Sequence, residues 1–208
     1  MTEHLYVVAD TETTGLHNFS LPADADGQPR MASLAILTLA EDLSIADEFH
    51  TLIKPDGWEM DPVKHAGAIA AHGLTQEKLL AEGIPVAEAL AKYNAMLDAS
   101  RVIVGYNVSY DLKVLRGELR RAGLPDRFET TASVDCMRPL TDICKIPKAN
   151  GRGYKLPKLV EAYASIFKKD FEGAHGALAD ARACAEIFKE MQPRGVWKVM
   201  REQREGAQ

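Results

Sequence analysis

Two carboxylates stand two positions apart near the start of the chain, in the run Val7-Val8-Ala9-Asp10-Thr11-Glu12-Thr13-Thr14-Gly15-Leu16. Side chains alternate along a strand, so Asp10 and Glu12 point to one side while Thr11 points away, and the two acids converge. Carboxylates that close repel, and a hard divalent cation such as Mg²⁺ or Mn²⁺ is the usual compensation because it takes oxygen ligands. An acidic strand end facing solvent is the competing reading, and the pair alone does not separate the two. A metal site needs further oxygen ligands from elsewhere. Gly105-Tyr106-Asn107-Val108-Ser109-Tyr110-Asp111 follows a second valine-rich run, and open sheets hold ligands beyond the carboxyl ends of their strands. Asp111 falls there in the first turn of a helix, where a carboxylate also suits the helix dipole. The third element is His175-Gly176-Ala177-Leu178-Ala179-Asp180. Positions five apart on a helix differ by about 140°, so His175 and Asp180 do not share a helical face. His175 therefore belongs in the turn before the helix, from which it can swing over Asp180 as a general base.

These groups need a scaffold. The continuous apolar run at residues 5–9 reads as a strand buried on both faces, and Thr14-Gly15 ends it. Residues 17–30, with Pro22, Gly27 and Pro29, read as a loop over the surface. Within it Asp24-Ala25-Asp26-Gly27 lacks the later ligands of a calcium loop and reads as a turn. Residues 32–39 and 46–53 form an antiparallel hairpin beside the first strand. Helices are predicted at 62–71, from a cap at Thr75, at 85–99, 109–122, 138–144, 156–166 and 177–191. Short strands fall at 101–106 and 132–135, the latter as the last strand, and residues 147–153 form a basic, glycine-rich loop. The expected fold is α/β, a mixed central sheet (antiparallel hairpin plus parallel strands) with helices on both faces, in one domain spanning residues 1–208.

Composition narrows the class. With 208 residues and 46% apolar content, the chain can bury one sizeable core. No apolar run approaches the roughly 18 residues of a membrane span and no basic-then-apolar leader opens the chain, so a cytoplasmic protein is expected. Cys136, Cys144 and Cys184 have neither a disulfide-framework nor a zinc-type spacing and read as free thiols. The net charge is −5, but it is unevenly placed. Residues 1–61 hold twelve acids and two bases, whereas residues 138–169 hold eight bases and two acids. A basic flank beside an acidic pole suits a grip on phosphates near a metal; a solvated surface gives the same pattern.

The three motifs, Asp10-Thr-Glu12-Thr-Thr-Gly, Asn107-Val-Ser-Tyr-Asp111 and His175-Gly-Ala-Leu-Ala-Asp180, occur in an order and at spacings that resemble the DnaQ-like 3′–5′ exonucleases of the DEDDh subgroup, which have the ribonuclease H-like fold. Ala71-His72-Gly73-Leu74-Thr75 is similar to the family's His-Gly-Ile-Thr segment, which borders the 3′ nucleotide, and Lys155-Leu156-Pro157-Lys158-Leu159 sits at the family's Ser-Leu-rich helix start. The resemblance implies that Asp10, Glu12, Asp111 and Asp180 hold two Mg²⁺ or Mn²⁺ ions and that His175 deprotonates the attacking water. It further implies release of nucleoside 5′-monophosphates from 3′ ends of nucleic acid; single-stranded DNA is favoured as the expectation, with RNA, duplex and short oligonucleotides left open by the sequence. Thr13, Thr14, His72 and Asn107 are expected at the terminal nucleotide or ordering its surroundings, and Lys148, Arg152 and Lys155 along the substrate path. Tyr106, Tyr110 and Ser33 depart from the residues frequent in the family, Ser33 replacing a glutamate or glutamine. The chain ends soon after Asp180, so no polymerase tether is evident and a free-standing nuclease is expected; oligomeric state is left open. Two other classes compete. A haloacid-dehalogenase-type phosphatase needs aspartate where Glu12 stands, and a non-catalytic nucleic-acid adaptor normally lacks one of the acids that are all present here.

Overall fold

The computed structural model describes residues 6–98 and 102–200. Leu5, Ala99 and Arg101, at the ends of elements read from the sequence, lie outside them. Six strands form one sheet in the order β3-β2-β1-β4-β5-β6. They are β1 (Tyr6–Thr13), β2 (Met31–Leu39), β3 (Ile45–Leu52), β4 (Val102–Gly105), β5 (Ala132–Asp135) and β6 (Val199–Met200). β1 to β3 form the antiparallel meander, while β4 and β5 run parallel to β1. The mixed sheet and the hairpin are as expected.

The first half of β1, residues 6–9, is apolar without interruption because helices cover both faces of the strand. Val7 and Ala9 pack with Leu90 and Leu97 of α3 (Val86–Asp98) and with Leu112 and Leu115 of α4 (Val108–Arg121). Val8 points the other way, to Ala181, Cys184 and Phe188 of α7 (Ala177–Met191). Asp10 and Glu12 continue the α7 face beyond this apolar layer, and Thr11 continues the α4 face. The β1–β2 register pairs Glu12 with Ser33 and then slips, so that Thr13 opposes Met31. Such a bulge bends a strand where its side chains must be re-aimed.

The remaining helices are α1 (Ala66–His72), α2 (Gln76–Glu82), α5 (Thr141–Cys144) and α6 (Leu159–Phe167). Several differ from the sequence expectation at their ends. The Asp61 carboxylate accepts from the N–H groups of Val63 and Lys64 and holds a turn where the first helix was expected to begin. α6 starts after Lys158, not at 156, because the Glu161 carboxylate accepts from the Lys158 N–H at 2.7 Å and caps the helix there. β5 is not the last strand: β6 pairs antiparallel with it. Trp197 brings the chain back by stacking on Phe188 and donating its indole N–H to the Phe188 carbonyl at 2.9 Å. Two residues carry no periodicity from which a strand could be read.

The loop at 17–30 is pinned to α4, not merely draped over the surface. Glu118, 1% exposed, accepts from Arg30 in a two-pronged pair at 2.8 and 3.0 Å and from the Met31 N–H at 3.1 Å. Gly117 lets the loop approach, since a Cβ there would lie 2.4 Å from the Ala23 carbonyl oxygen. Alanine is ordinarily the better helix former, so Gly117→Ala should gain propensity and still lose stability. The expected net loss is about 1–3 kcal/mol in urea unfolding, the usual cost of an overpacked contact with backbone.

Candidate active site

The acids gather at the carboxyl end of β1. One carboxylate oxygen each from Asp10, Glu12 and Asp180 lie within 4.8 Å of one another, the first two from β1 and the third from the first turn of α7. Asp111 arrives from α4, across the sheet. Its Oδ1 accepts from the Thr11 N–H at 3.0 Å and from the Thr11 hydroxyl at 2.8 Å. The residue between the two strand acids thus points away from them, as alternation requires, and fastens the fourth acid beside them. Asp111 is 4% exposed and stands outside the three-oxygen cluster, but it acts on Asp10 more strongly than any other charge.

Burial and mutual repulsion hold these groups far from ordinary carboxylate behaviour. Burial, then the charges of Asp111, Asp180 and Glu12, raise Asp10 well above the usual range. Glu12 is pushed up to about 8 by burial and by Asp180 and Asp111. Asp111 rises to about 7 through burial, against the opposing pull of its two bonds from Thr11. Burial also raises Asp180, with the His175 N–H opposing it. None of the four forms a salt bridge with lysine or arginine among the described residues. Four acids without a cationic side chain, three of them offering converging oxygens, fit a divalent cation of the oxygen-seeking kind.

His175 occupies the turn before α7. It is exposed, its backbone is left-handed at φ 66°, and its N–H donates to Asp180 Oδ1 at 3.2 Å. Gly176 caps the helix, whose first bond runs from the Asp180 N–H to the Gly176 carbonyl at 3.0 Å. His175 therefore lies in the turn and Asp180 in the first turn of the helix, as their spacing required.

The family model described as "RNase_T: Exonuclease" matches residues 7–188. The chain belongs to this exonuclease family. The PolC-type DNA polymerase III of Thermotoga petrophila is 30% identical over 186 residues, which are 88% of this chain and 11% of that protein. The DNA polymerase III epsilon subunit of Buchnera aphidicola is 23% identical over 184 residues, 88% of this chain and 70% of the subunit. Among solved structures, E. coli Exonuclease I in complex with a dT13 oligonucleotide superposes with a TM-score of 0.71 at 21% identity, over 91% of this chain and 42% of that one. The likeness to DnaQ-like exonucleases and the ribonuclease H-like fold are borne out. The chain spans about a ninth of its PolC-type relatives and less than half of Exonuclease I.

Around the acids, this exonuclease-family chain spends its polar groups mainly on its own turns. The Thr13 hydroxyl is bonded to Tyr110 Oη at 2.7 Å and donates to the Gly15 carbonyl at 2.8 Å. The Thr14 hydroxyl accepts from the Arg30 N–H at 2.9 Å. Both threonines shape the turn with their side chains. His72 Nδ1 accepts from the Leu74 N–H, which leaves Nε2 protonated to donate to the Thr13 carbonyl at 3.1 Å. Asn107 is left-handed at φ 62° and donates its N–H to Asp135 Oδ1 at 3.1 Å. Ser33, opposite Glu12, is engaged with His50 Nε2 at 3.1 Å and the Thr51 carbonyl, so it adds no charge to the cluster.

Lys155, expected on the substrate path, is engaged with a carboxylate of its own chain. Its Nζ lies 2.5 and 2.8 Å from the two oxygens of Glu161, as part of the α6 start. Lys148 and Arg152 remain exposed. Three residues to which the sequence alone assigned no role in the site matter here: Thr11, Tyr110 and Asp135. Asp135 is buried at the end of β5 and accepts from the N–H groups of Asn107 and Met137. Its position at a strand end was the available signal. Beside the turn, a cleft of ≈ 680 Å³ opens between the 24–30 loop and residues 57–65, lined in part by Thr14, Leu16, Arg30, Trp58 and Lys64.

Proposed function

We propose that this chain hydrolyses phosphodiester bonds from the 3′ end of nucleic acid, releasing nucleoside 5′-monophosphates. The observation that carries the reading is the convergence of Asp10, Glu12 and Asp180 within 4.8 Å, with Asp111 fastened beside them by Thr11. These four residues would hold two divalent ions, Mg²⁺ or Mn²⁺. When bound, such ions supply the positive charge that an in-line displacement at phosphorus needs on its attacking and leaving oxygens. The chain's own residues do the rest. His175 takes a proton from the attacking water through its exposed imidazole, and the N–H bond to Asp180 keeps its turn over the acids. The turn built by Thr13, Thr14, Gly15 and Tyr110, buttressed by His72, presents the edge of the cleft to the terminal nucleotide. Asn107 orders the β4 end through Asp135.

Exonuclease I is described in complex with dT13 and dA16 oligonucleotides, and this supports a single-stranded DNA substrate here. Lys148 and Arg152 meet its phosphates. The chain acts as one cytoplasmic domain, a reading in keeping with its three free thiols. The test is a matched set of 3′-labelled and 5′-labelled oligomers, incubated with Mg²⁺ or Mn²⁺ and resolved by length. Labelled mononucleotide should appear at once from the 3′-labelled strand, and the 5′-labelled strand should shorten stepwise. Cleavage of a circular single strand, or full activity in excess EDTA, rules the reading out.

A further inference from the structure

We propose that residues 146–155 form a rigid hairpin on which the single strand lies upstream of the bond being cut, with Tyr154 as the residue on which a base stacks. The inference rests on the exonuclease reading above and assigns it a second contact region.

The segment read from the sequence as a basic, glycine-rich loop is a built element. The Lys155 N–H donates to the Ile146 carbonyl at 2.9 Å and the Lys148 N–H to the Gly153 carbonyl at 3.1 Å, while Pro147 and Tyr154 form an antiparallel bridge between them. The Gly151 N–H closes the turn onto the Lys148 carbonyl at 2.9 Å, and the Asn150 side chain accepts from the Arg152 N–H at 3.0 Å. Gly151 and Gly153 are left-handed, at φ 69° and 73°, a conformation that glycine adopts at least cost. The hairpin is moored at its base by Lys155 on Glu161, and its exit is held by the Tyr106 hydroxyl, which donates to the Pro157 carbonyl at 2.9 Å.

That mooring fixes its place. Tyr106 directly follows β4, and β1, β4 and β5 are parallel, so the hairpin hangs from the same end of the sheet as the acids.

The surface of the hairpin has the chemistry of a single-strand platform. Bridge partners in a ladder share a face, so the Pro147 and Tyr154 rings lie side by side. Tyr154 is 43% exposed, and Leu156, two residues on, is 46% exposed. Residues 145–158 contain five bases and no acid in a chain whose net charge is −5. With Lys155 committed to Glu161, Lys145, Lys148 and Arg152 remain exposed and form no salt bridge among the described residues. Every base has a face for an aromatic ring, and cations beside the ring meet the phosphates, so the platform takes single strands with little regard to sequence. A duplex keeps its bases stacked on one another and cannot offer one.

The consequence is a dependence on length. A dinucleotide fills the cutting site without reaching Tyr154, whereas a long oligomer reaches both. In the purified chain with Mn²⁺, kcat/KM on oligo(dT) should rise from the dinucleotide to long oligomers. The ratio of long to dinucleotide should fall roughly tenfold in Tyr154→Ala, the scale on which a lost base–aromatic stack weakens binding. A second variant reads the contact without turnover. In EDTA, oligo(dT) should quench the fluorescence of Tyr154→Trp beyond the change seen in the wild type, which already carries Trp58 and Trp197. An unchanged length ratio in Tyr154→Ala, no added quenching in Tyr154→Trp, or equal quenching by a blunt duplex overturns the platform. If the wild type shows no metal-dependent turnover, the exonuclease reading fails, and the quenching experiment still judges the platform alone.

Discussion

Asp10→Asn is expected to lose metal-dependent hydrolysis by several orders of magnitude while making the metal-free protein more stable at pH 8. The two effects share one cause. Asp10, Glu12, Asp111 and Asp180 are all raised above the ordinary carboxylate range, by burial first and by one another second. A group whose folded state holds its proton more tightly than the unfolded chain favours folding at low pH, and that contribution fades as pH climbs through the folded value. Free carboxylates titrate near pH 4, and Glu12 and Asp111 reach about 8 and about 7 in the fold. The metal-free protein should therefore lose stability steadily between about pH 4 and 8. Removing one charge relieves the other three, so Asp10→Asn should melt several degrees higher than wild type at pH 8 and close to it at pH 5. A cation must displace the same protons, so Mn²⁺ should bind more tightly as pH rises over this window and release protons as it binds. Melting curves with and without Mn²⁺ at both pH values, with calorimetry in buffers of different ionisation enthalpy, measure all three effects. A wild type whose metal-free melting temperature rises from pH 5 to 8 contradicts the account.

His175 should lose rate without losing metal. Its imidazole is exposed and it is the backbone N–H that donates to Asp180, so removing the ring leaves the metal ligands in place. The rate should fall on the order of 10²- to 10⁴-fold, the usual worth of a general base, with Mn²⁺ affinity retained. Alanine at φ 66° carries backbone strain that glycine does not, and His175→Gly separates loss of the base from distortion of the turn. Both variants should be slow to a similar degree, and free imidazole should partly restore His175→Gly. Single-turnover rates beside metal titrations decide it: near-wild-type rates, or a metal affinity lost as in Asp180→Ala, would remove His175 from the mechanism.

Local periodicity and spacing carried much of this protein. The valine-rich run before Asp10 specified a strand covered on both faces, and alternation alone put Asp10 and Glu12 together with Thr11 behind them. The five-residue gap from His175 to Asp180 required a turn and then a helix, which is what Gly176 and Ala177 make. These features were legible because each depends on residues within a few positions of one another. What needed the tertiary structure was every contact between distant segments. Thr11 fastens Asp111 across 100 positions, and Glu118 holds Arg30 across 88. Lys155 reads from its type as a phosphate ligand, and the fold gives it Glu161 as a partner; Thr13 and Thr14 read as substrate contacts, and the fold engages their hydroxyls in closing the turn. A side chain's type states what it can bond; only the fold brings up the competing partner, and a buried or half-buried polar group takes the partner nearest to it.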